Sequence, residues 1–151
     1  NGHLDVAQRA ARLFERVVIG VYAIPEKKLM FDLDERVAMA REAVAFLPNV
    51  EVRSYDGLTV DFARDARAQV MVRGLRVSAD FEFEFDLAMM NSKLAPELEM
   101  VCFMARSQYQ FLSSSLLKEV ARLGGQVDDW MPPNVAVAVR RKVALLDKGC
   151  R

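Results

Sequence analysis

Hydrophobic positions along this chain alternate between helical spacing and short continuous runs. Leu4, Ala7, Ala11 and Phe14 follow helical spacing, and a run rich in β-branched residues follows at 16–23. The first pattern predicts a helix and the second a buried strand. Further strands are expected at 50–54, 68–72 and 100–104, with a short helix at 58–66. This alternation predicts an α/β fold built on a parallel sheet.

Capping and turn residues predict several helix boundaries. Asp32, with Glu35 three positions later, has the pattern of a capping box, and the helix it begins is expected to end at Pro48-Asn49. Its apolar face is formed by Leu33, Val37, Ala40, Val44 and Leu47. Near the end of the chain, a helix at 114–123 is expected to stop at Gly124-Gly125, and a last helix to follow Pro132-Pro133.

Residues 81–86 alternate phenylalanine with acidic residues, which on local pattern alone indicates a strand. The apolar run continues to Met90 at positions that also fit helical spacing, and Ser78 could cap the start of a helix. A parallel sheet needs a crossover, usually a helix, between the strands that end at 72 and begin at 100. We therefore predict a helix in this segment.

Composition and charge narrow the class of protein. The 151 residues suit one domain, and their 52% hydrophobic and 28% charged content is ordinary for a globular protein. Because 21 basic residues balance 21 acidic ones, the total charge gives no reason to expect binding to nucleic acid or an anionic membrane. The longest aliphatic-rich run, 17–24, is far shorter than a membrane span of roughly 20 residues. We expect a cytoplasmic protein.

The cysteines give no sign of a metal centre. Cys102 and Cys150 have no cysteine or histidine neighbours at metal-ligand spacing. We expect two reduced, non-catalytic thiols and no metal ion held by protein side chains.

Three groups of residues indicate phosphate chemistry. Arg73 and Arg76 follow the strand expected to end at Val72, at the edge where open α/β sheets bind ligands, and guanidinium groups match phosphate oxygens. Three hydroxyls at 113–115 stand at a predicted helix start, where a cap needs only one. The only histidine, His3, lies where the first helix begins and free N–H groups point outward. Solvated surface arginines and a simple serine cap remain the alternatives.

The order of these motifs resembles the bacterial phosphopantetheine adenylyltransferases. The resemblance rests on Gly2-His3, Arg73-Gly74-Leu75-Arg76, the Asp80 to Glu84 segment and Phe111 to Glu119, and extends to about Ala144. It implies a single Rossmann-like doubly wound domain over 1–151 that transfers the adenylyl group of ATP to 4′-phosphopantetheine, giving dephospho-coenzyme A and pyrophosphate. It further implies Mg²⁺ carried with ATP, coenzyme A as a regulator, and a homo-hexamer.

The resemblance also assigns roles to individual residues. It implies catalytic roles for His3, Lys27 and Arg76, and phosphopantetheine binding by Lys27, Thr59 and Arg73. ATP binding is implied for His3, Gly74, Leu75, Arg76, Glu84, Tyr109, Gln110, Phe111, Leu112, Ser113, Ser114 and Ser115. The family usually has tryptophan and isoleucine where this chain has Tyr109 and Leu112. Lys27 could otherwise be an ordinary surface lysine, and Thr59 falls where the family binds pantetheine largely through backbone.

The chain departs from the family in one respect. Its elements begin helix then strand, whereas a doubly wound fold normally begins strand then helix. In the family, a strand and a phosphate loop ending in Thr-x-Gly-His precede this point, so we expect the native protein to carry them. Without them, a slot should remain beside the 17–22 or the 70–72 strand.

Two other functions fit the same residues. One is a related nucleotidyltransferase that acts on another phosphate, such as nicotinamide mononucleotide. The other is a module that binds nucleotide or coenzyme A without turnover.

Overall fold

A computed structural model of the protein describes residues 1–25 and 29–148. Helices and strands alternate along this part of the chain, as predicted, and the segment at 81–90 is helical. The elements in chain order are α1 (Gly2–Leu13), β1 (Val17–Tyr22), α2 (Leu33–Ala43), β2 (Val50–Tyr55), α3 (Thr59–Asp65), β3 (Val70–Leu75), α4 (Ser78–Leu94), β4 (Glu99–Met104), α5 (Ser114–Arg122) and α6 (Pro133–Lys148). Single 3₁₀ turns occupy Ser107–Tyr109 and Asp128–Trp130.

The strands form two parallel pairs. β1 pairs with β2, with Val17 opposite Val50, and β3 pairs with β4, with Val70 opposite Glu99. Among the described residues no ladder joins β1 to β3, so the predicted parallel strands form two two-stranded sheets. Helix α1 packs against both β1 and β3, so the two sheets lie beneath one helix.

The capping box that begins α2 is confirmed. The Asp32 carboxylate accepts a hydrogen bond from the Glu35 backbone N–H at 2.8 Å, and the Glu35 carboxylate accepts one from the Asp32 N–H at 2.9 Å. The predicted end of this helix is wrong, because regular helix stops at Ala43. Backbone hydrogen bonds three residues apart then follow, donated by Ala45 N–H to the Glu42 carbonyl and by Leu47 N–H to the Val44 carbonyl. Leu47 precedes Pro48, and the residue before a proline disfavours helical backbone angles.

Two predictions at the junction of β3 and α4 are corrected. Strand β3 continues to Leu75, so Arg73 lies inside it, opposite Cys102, and only Arg76 follows the strand end. Ser78 does not cap α4: the N-cap residue is Val77, and no side chain there accepts a capping bond. Instead, the Asp80 carboxylate accepts a hydrogen bond from the backbone N–H of Arg76, which fixes the turn between strand and helix.

Three apolar clusters hold these elements together. One joins α1 and α2 to β1 and β2 around Val37 and Val52. A second packs α3 against the segment that enters β4, around Val60 and Leu98. The third packs α5 and α6 together. Within the described residues, none of the helices combines the length and apolarity needed to cross a bilayer.

Candidate active site

Arg73 and Glu84 form the more deeply placed of two ion pairs beside the end of β3. Arg73 Nε and Nη2 donate to the two oxygens of Glu84 at 2.8 and 2.6 Å. Glu84 is buried, whereas the Arg73 side chain is 44% exposed. These hydrogen bonds raise the pKa of Arg73 above its ordinary value, against the lowering effect of burial. A charge-assisted, bidentate pair of this kind fixes the orientation of a guanidinium.

Arg76 is held by two partners, Asp80 and Leu112. Its Nε and Nη2 donate to the two oxygens of Asp80 at 3.0 Å each, and its backbone N–H donates to the same carboxylate at 2.9 Å. Its Nη1 donates to the backbone carbonyl of Leu112 at 2.8 Å. The hydrogen bonds from Arg76 lower the pKa of Asp80 below its usual range. Arg76 therefore ties the end of β3 to the segment that precedes α5.

The segment 109–115 contains the hydroxyls that the sequence singled out. Ser113 is the N-cap of α5, and its Oγ accepts a hydrogen bond from the Leu116 N–H at 3.1 Å. The expectation that one of the three serines is a cap is confirmed. Ser114 and Ser115 are exposed in the first turn of the helix. They present two hydroxyls beside the outward-pointing N–H groups of a helix start.

The other residues of this segment differ in what they can offer a ligand. The Leu112 side chain is buried, so only its backbone is available, and its carbonyl already accepts from Arg76. Phe111 is exposed and meets Trp130 edge to face, with ring centroids 5.9 Å apart. Gln110 is exposed and Tyr109 half-buried.

The start of α1 lies against this same segment. His3 is exposed in the first turn of α1, where the first intrahelical bond is donated by Asp5 to the Asn1 carbonyl. Gly2 faces Tyr109, whose Cβ would lie 3.8 Å from a Cβ placed on the glycine. A cavity of about 390 Å³ opens there, lined by Asn1, Gln108, Tyr109, Phe111, Leu112, Asp129 and Trp130. The structure thus places Asn1 and Gly2, which directly precede the predicted histidine, against the predicted 109–115 segment.

Asp5 is a site-supporting residue that sequence reasoning missed. Its buried carboxylate pairs with Arg106 Nε at 3.1 Å and with Arg9 Nη1 at 3.3 Å. Because Arg106 follows β4 and leads into the 107–109 turn, this contact anchors the turn to α1. No local pattern indicated the contact with Arg106, since Asp5 and Arg106 are far apart in sequence.

Thr59 is the first residue of α3. Its Oγ1 is 3.1 Å from the hydroxyl of Tyr55, a second residue that sequence reasoning missed. Tyr55 also acts electrostatically to raise the pKa of Arg73. Its position at the carboxyl end of β2 was the available signal.

The Tyr55 ring stacks on Phe62 with centroids 4.4 Å apart. Both rings pack over Gly20, where a Cβ would lie 2.7 Å from a Phe62 ring carbon. Only glycine at this position lets the two rings approach the strand so closely.

The remaining predicted site residues are placed as follows. Gly74 is exposed, and a Cβ there would lie 3.1 Å from Val6 of α1, so its backbone packs closely beneath that helix. Leu75 is buried and could contact a nucleotide only through its backbone.

Lys27 falls outside the described residues. Among residues 1–25 and 29–148, no group of three or more His, Cys, Asp or Glu side chains could hold a metal ion.

The donor inventory of the two arginines indicates what the site can bind. A guanidinium has five N–H donors. Within the described structure, Arg73 donates two of them to Glu84, and Arg76 donates three to Asp80 and Leu112. The N–H donors without a partner among these bonds lie on Nη1 and Nη2. These two nitrogens form the end of the guanidinium that can bind two oxygens of a phosphate. Each arginine therefore keeps donors that match an anionic group such as a phosphate.

Comparison with known proteins agrees with this chemistry. Residues 1–120 match the family described as cytidylyltransferase-like. The chain is 50% identical, over 97% of its own length and 89% of the relative's, to the phosphopantetheine adenylyltransferase of Thermomicrobium roseum. It is 48% identical to the enzymes of the same name from Roseiflexus castenholzii, over 95% of this chain and 89% of that one, and Heliobacterium modesticaldum, over 93% and 84%. This chain therefore belongs to the cytidylyltransferase-like family and, within it, to the phosphopantetheine adenylyltransferases.

Proposed function

We propose that this protein transfers the adenylyl group of ATP to 4′-phosphopantetheine, forming dephospho-coenzyme A and pyrophosphate. The observation that carries the proposal is the pair of fixed guanidiniums, Arg73 and Arg76, at the end of β3. A reaction between two phosphates needs two such anchors. The names of relatives at 48–50% identity support the choice of substrates.

The proposed adenylyl transfer depends on aligning the two phosphates and does not need a protein nucleophile. The phosphate of phosphopantetheine is largely dianionic near neutral pH, since its second pKa is about 6, so it attacks the α-phosphorus of ATP without a protein base. The rate then depends on holding the two phosphates in line and neutralising the charge between them. We assign that task to His3, Lys27, Arg73 and Arg76.

The two substrates occupy different parts of the site in this proposal. Phosphopantetheine lies toward Arg73, Thr59 and Lys27. ATP lies toward Arg76 and its neighbours Gly74 and Leu75, with its triphosphate along Tyr109 to Ser115 and its α-phosphate near His3. Mg²⁺ arrives with ATP, because phosphate oxygens are its ordinary ligands.

A homo-hexamer is also proposed, and the surface of α4 supports self-assembly. The outward part of this helix carries two apolar flanks separated by the acidic residues Glu82 and Asp86. Each of the six apolar side chains is about half exposed or more: Phe81, Phe85 and Met89 on one flank, and Phe83, Met90 and Leu94 on the other. Exposed apolar patches of this kind mark protein interfaces. We further propose a cytoplasmic location and regulation by coenzyme A.

Pyrophosphate release tests the proposed function. The protein is incubated with Mg-ATP and either 4′-phosphopantetheine, nicotinamide mononucleotide or no acceptor. We expect release only with phosphopantetheine, together with dephospho-coenzyme A by mass spectrometry. Release only with the mononucleotide would indicate a different nucleotidyltransferase, and binding without release would indicate a module that holds ligand without turnover.

A further inference from the structure

Strand β2 is an outer strand of its sheet. Among residues 1–25 and 29–148 it pairs only with β1. The Val17 N–H donates to the Asn49 carbonyl at 2.9 Å at one end of this ladder. The Ala23 N–H donates to the Tyr55 carbonyl at 2.7 Å at the other end. Because alternate residues of a parallel strand bond to its neighbour, the odd-numbered residues of β2 bond to β1. The even-numbered residues direct their backbone N–H and C=O groups to the free side: Val50, Val52 and Ser54.

The free side of β2 is bordered by a groove. The Val50 N–H donates to the Leu47 carbonyl at 3.2 Å, which agrees with its outward direction. The Val52 carbonyl accepts from Arg41 Nη2 at 3.4 Å, which agrees likewise. A cavity of about 480 Å³ opens there, lined by residues of α2, of β2 and of the turn between them. The N–H groups of Val52 and Ser54 and the Val50 carbonyl face this side, and an edge of this kind can pair with another extended strand.

The charges on β2 make it complementary to a second copy of itself. Arg53 Nη2 lies 2.7 Å from Glu51 Oε1, and the side chains are 41% and 39% exposed. Two copies of β2 can pair antiparallel about a two-fold axis at Val52, which sets Val52 opposite Val52 and Val50 opposite Ser54. Glu51 then lies opposite the second copy's Arg53, and this pair occurs twice. These are non-hydrogen-bonded positions of the ladder, where side chains of the two strands approach most closely.

The same charges disfavour the neighbouring registers. Both strands must pair through their outward-facing residues, so the two-fold axis must pass through a residue. An axis at Glu51 would set Glu51 opposite Glu51, and an axis at Arg53 would set Arg53 opposite Arg53. Like charges directly opposite each other destabilise a strand pair. Charged side chains on an edge strand commonly prevent pairing, but these two opposite charges leave the register about Val52 favourable.

We propose that β2 is a self-association edge, at which two copies of this chain pair antiparallel about a two-fold axis at Val52. The Val52 N–H donates to the second copy's Val52 carbonyl, and the Ser54 N–H donates to the second copy's Val50 carbonyl, each bond being made twice. The two β1–β2 pairs then form one four-stranded sheet. This edge is separate from α4, which packs on β3. The inference rests on the backbone and charges of β2 and is independent of the proposed function.

The first test removes an outward N–H and keeps the bonds between β2 and β1. Ser54 is exposed, and proline is tolerated where the N–H of an edge strand faces away from the sheet. Sedimentation equilibrium of the unaltered chain should give an even number of copies, and Ser54→Pro should halve the particle mass. Ser54→Ala keeps the N–H and is the matched control, with an unchanged mass. An unchanged mass in a Ser54→Pro variant that melts cooperatively, or a monomeric unaltered chain, overturns the inference.

The second test uses charge and also decides the matter should Ser54→Pro fail to fold. Glu51→Arg and Arg53→Glu each set like charges opposite one another, so each variant alone should weaken self-association by about tenfold or more. An equal mixture of the two variants should restore it. In the mixture the introduced arginine faces the introduced glutamate, and the unchanged Arg53 faces the unchanged Glu51.

This recovery is specific to the register about Val52. Glu15→Arg, the same change of charge at an exposed position outside β2, is the control and should leave association unchanged. Association that survives both single variants, or a mixture that stays dissociated, overturns the inference.

Discussion

Arg76 donates a hydrogen bond from Nη1 to the backbone carbonyl of Leu112 at 2.8 Å, across 36 residues of sequence. This bond joins the end of β3 to the segment before α5, where the exposed hydroxyls of Ser114 and Ser115 stand. Two segments predicted to bind phosphate, at 73–76 and 113–115, are therefore adjacent in the structure.

Arg73→Ala and Arg76→Ala should weaken different substrates. Arg73 shares its surroundings with Tyr55 and Thr59, so its loss should chiefly raise the dissociation constant of phosphopantetheine. Loss of Arg76 should chiefly raise that of ATP. Separate calorimetric titrations measure both constants, and identical losses in the two variants would contradict the split.

The three serines should separate into one structural and two ligand-binding residues. Ser113→Ala removes the N-cap of α5 and should lower the free energy of unfolding by about 1 kcal/mol. The double variant Ser114→Ala with Ser115→Ala should leave that free energy nearly unchanged and raise the KM for ATP. Urea unfolding and initial-rate kinetics on the same samples give both quantities. A double variant with normal ATP kinetics would leave these two serines without the proposed role.

His3→Ala should lower turnover by roughly 100-fold to 1,000-fold, the scale for removing one preorganised donor to a transition state. ATP should still bind, because the outward N–H groups of the first turn of α1 remain. Single-turnover kinetics with a separate ATP titration check both parts. Arg12→Ala, at the far end of the same helix and exposed, is the control. Near-normal turnover in His3→Ala would rule out the catalytic role.

Stability should fall at acidic pH through Glu35. Hydrogen bonds from Lys142 of α6 and from the Asp32 backbone hold the pKa of Glu35 below its ordinary value. Because the pKa of Glu35 is lower in the folded state than in the unfolded state, ionised Glu35 stabilises the fold at pH above its unfolded-state pKa. That stabilisation is lost as pH falls through the folded-state pKa. Glu35→Gln should therefore flatten the acid limb of a plot of melting temperature against pH. Glu15→Gln, an exposed control, should leave that limb unchanged.

Features of the fold that depend on neighbouring residues could be predicted from sequence. The capping box of Asp32 and Glu35 involves residues close together in sequence, so a sequence pattern can predict it. The same is true of the left-handed turn at Gly124, where φ is 83°. Helix α4 required a topological argument, since its hydrophobic pattern also fitted a strand.

The contacts that build the site could not be predicted in the same way. The bonds from Arg76 to Leu112 and from Arg106 to Asp5 join residues far apart in sequence, so their pairing depends on how the elements pack. The pairing of Glu84 with Arg73 depended on which face of α4 Glu84 occupies.

The charges around Asp5 have a consequence for how anions approach this protein. Arg73 with Glu84 and Arg76 with Asp80 are each neutral pairs, whereas one Asp5 carboxylate faces two guanidiniums, Arg9 and Arg106. Asp5, Arg9 and Arg106 together carry a net positive charge. Asp5 is two residues from His3, near the positive end of the α1 dipole. A chain with no net charge can thus attract a polyphosphate over a distance, so its association rate should fall as ionic strength rises.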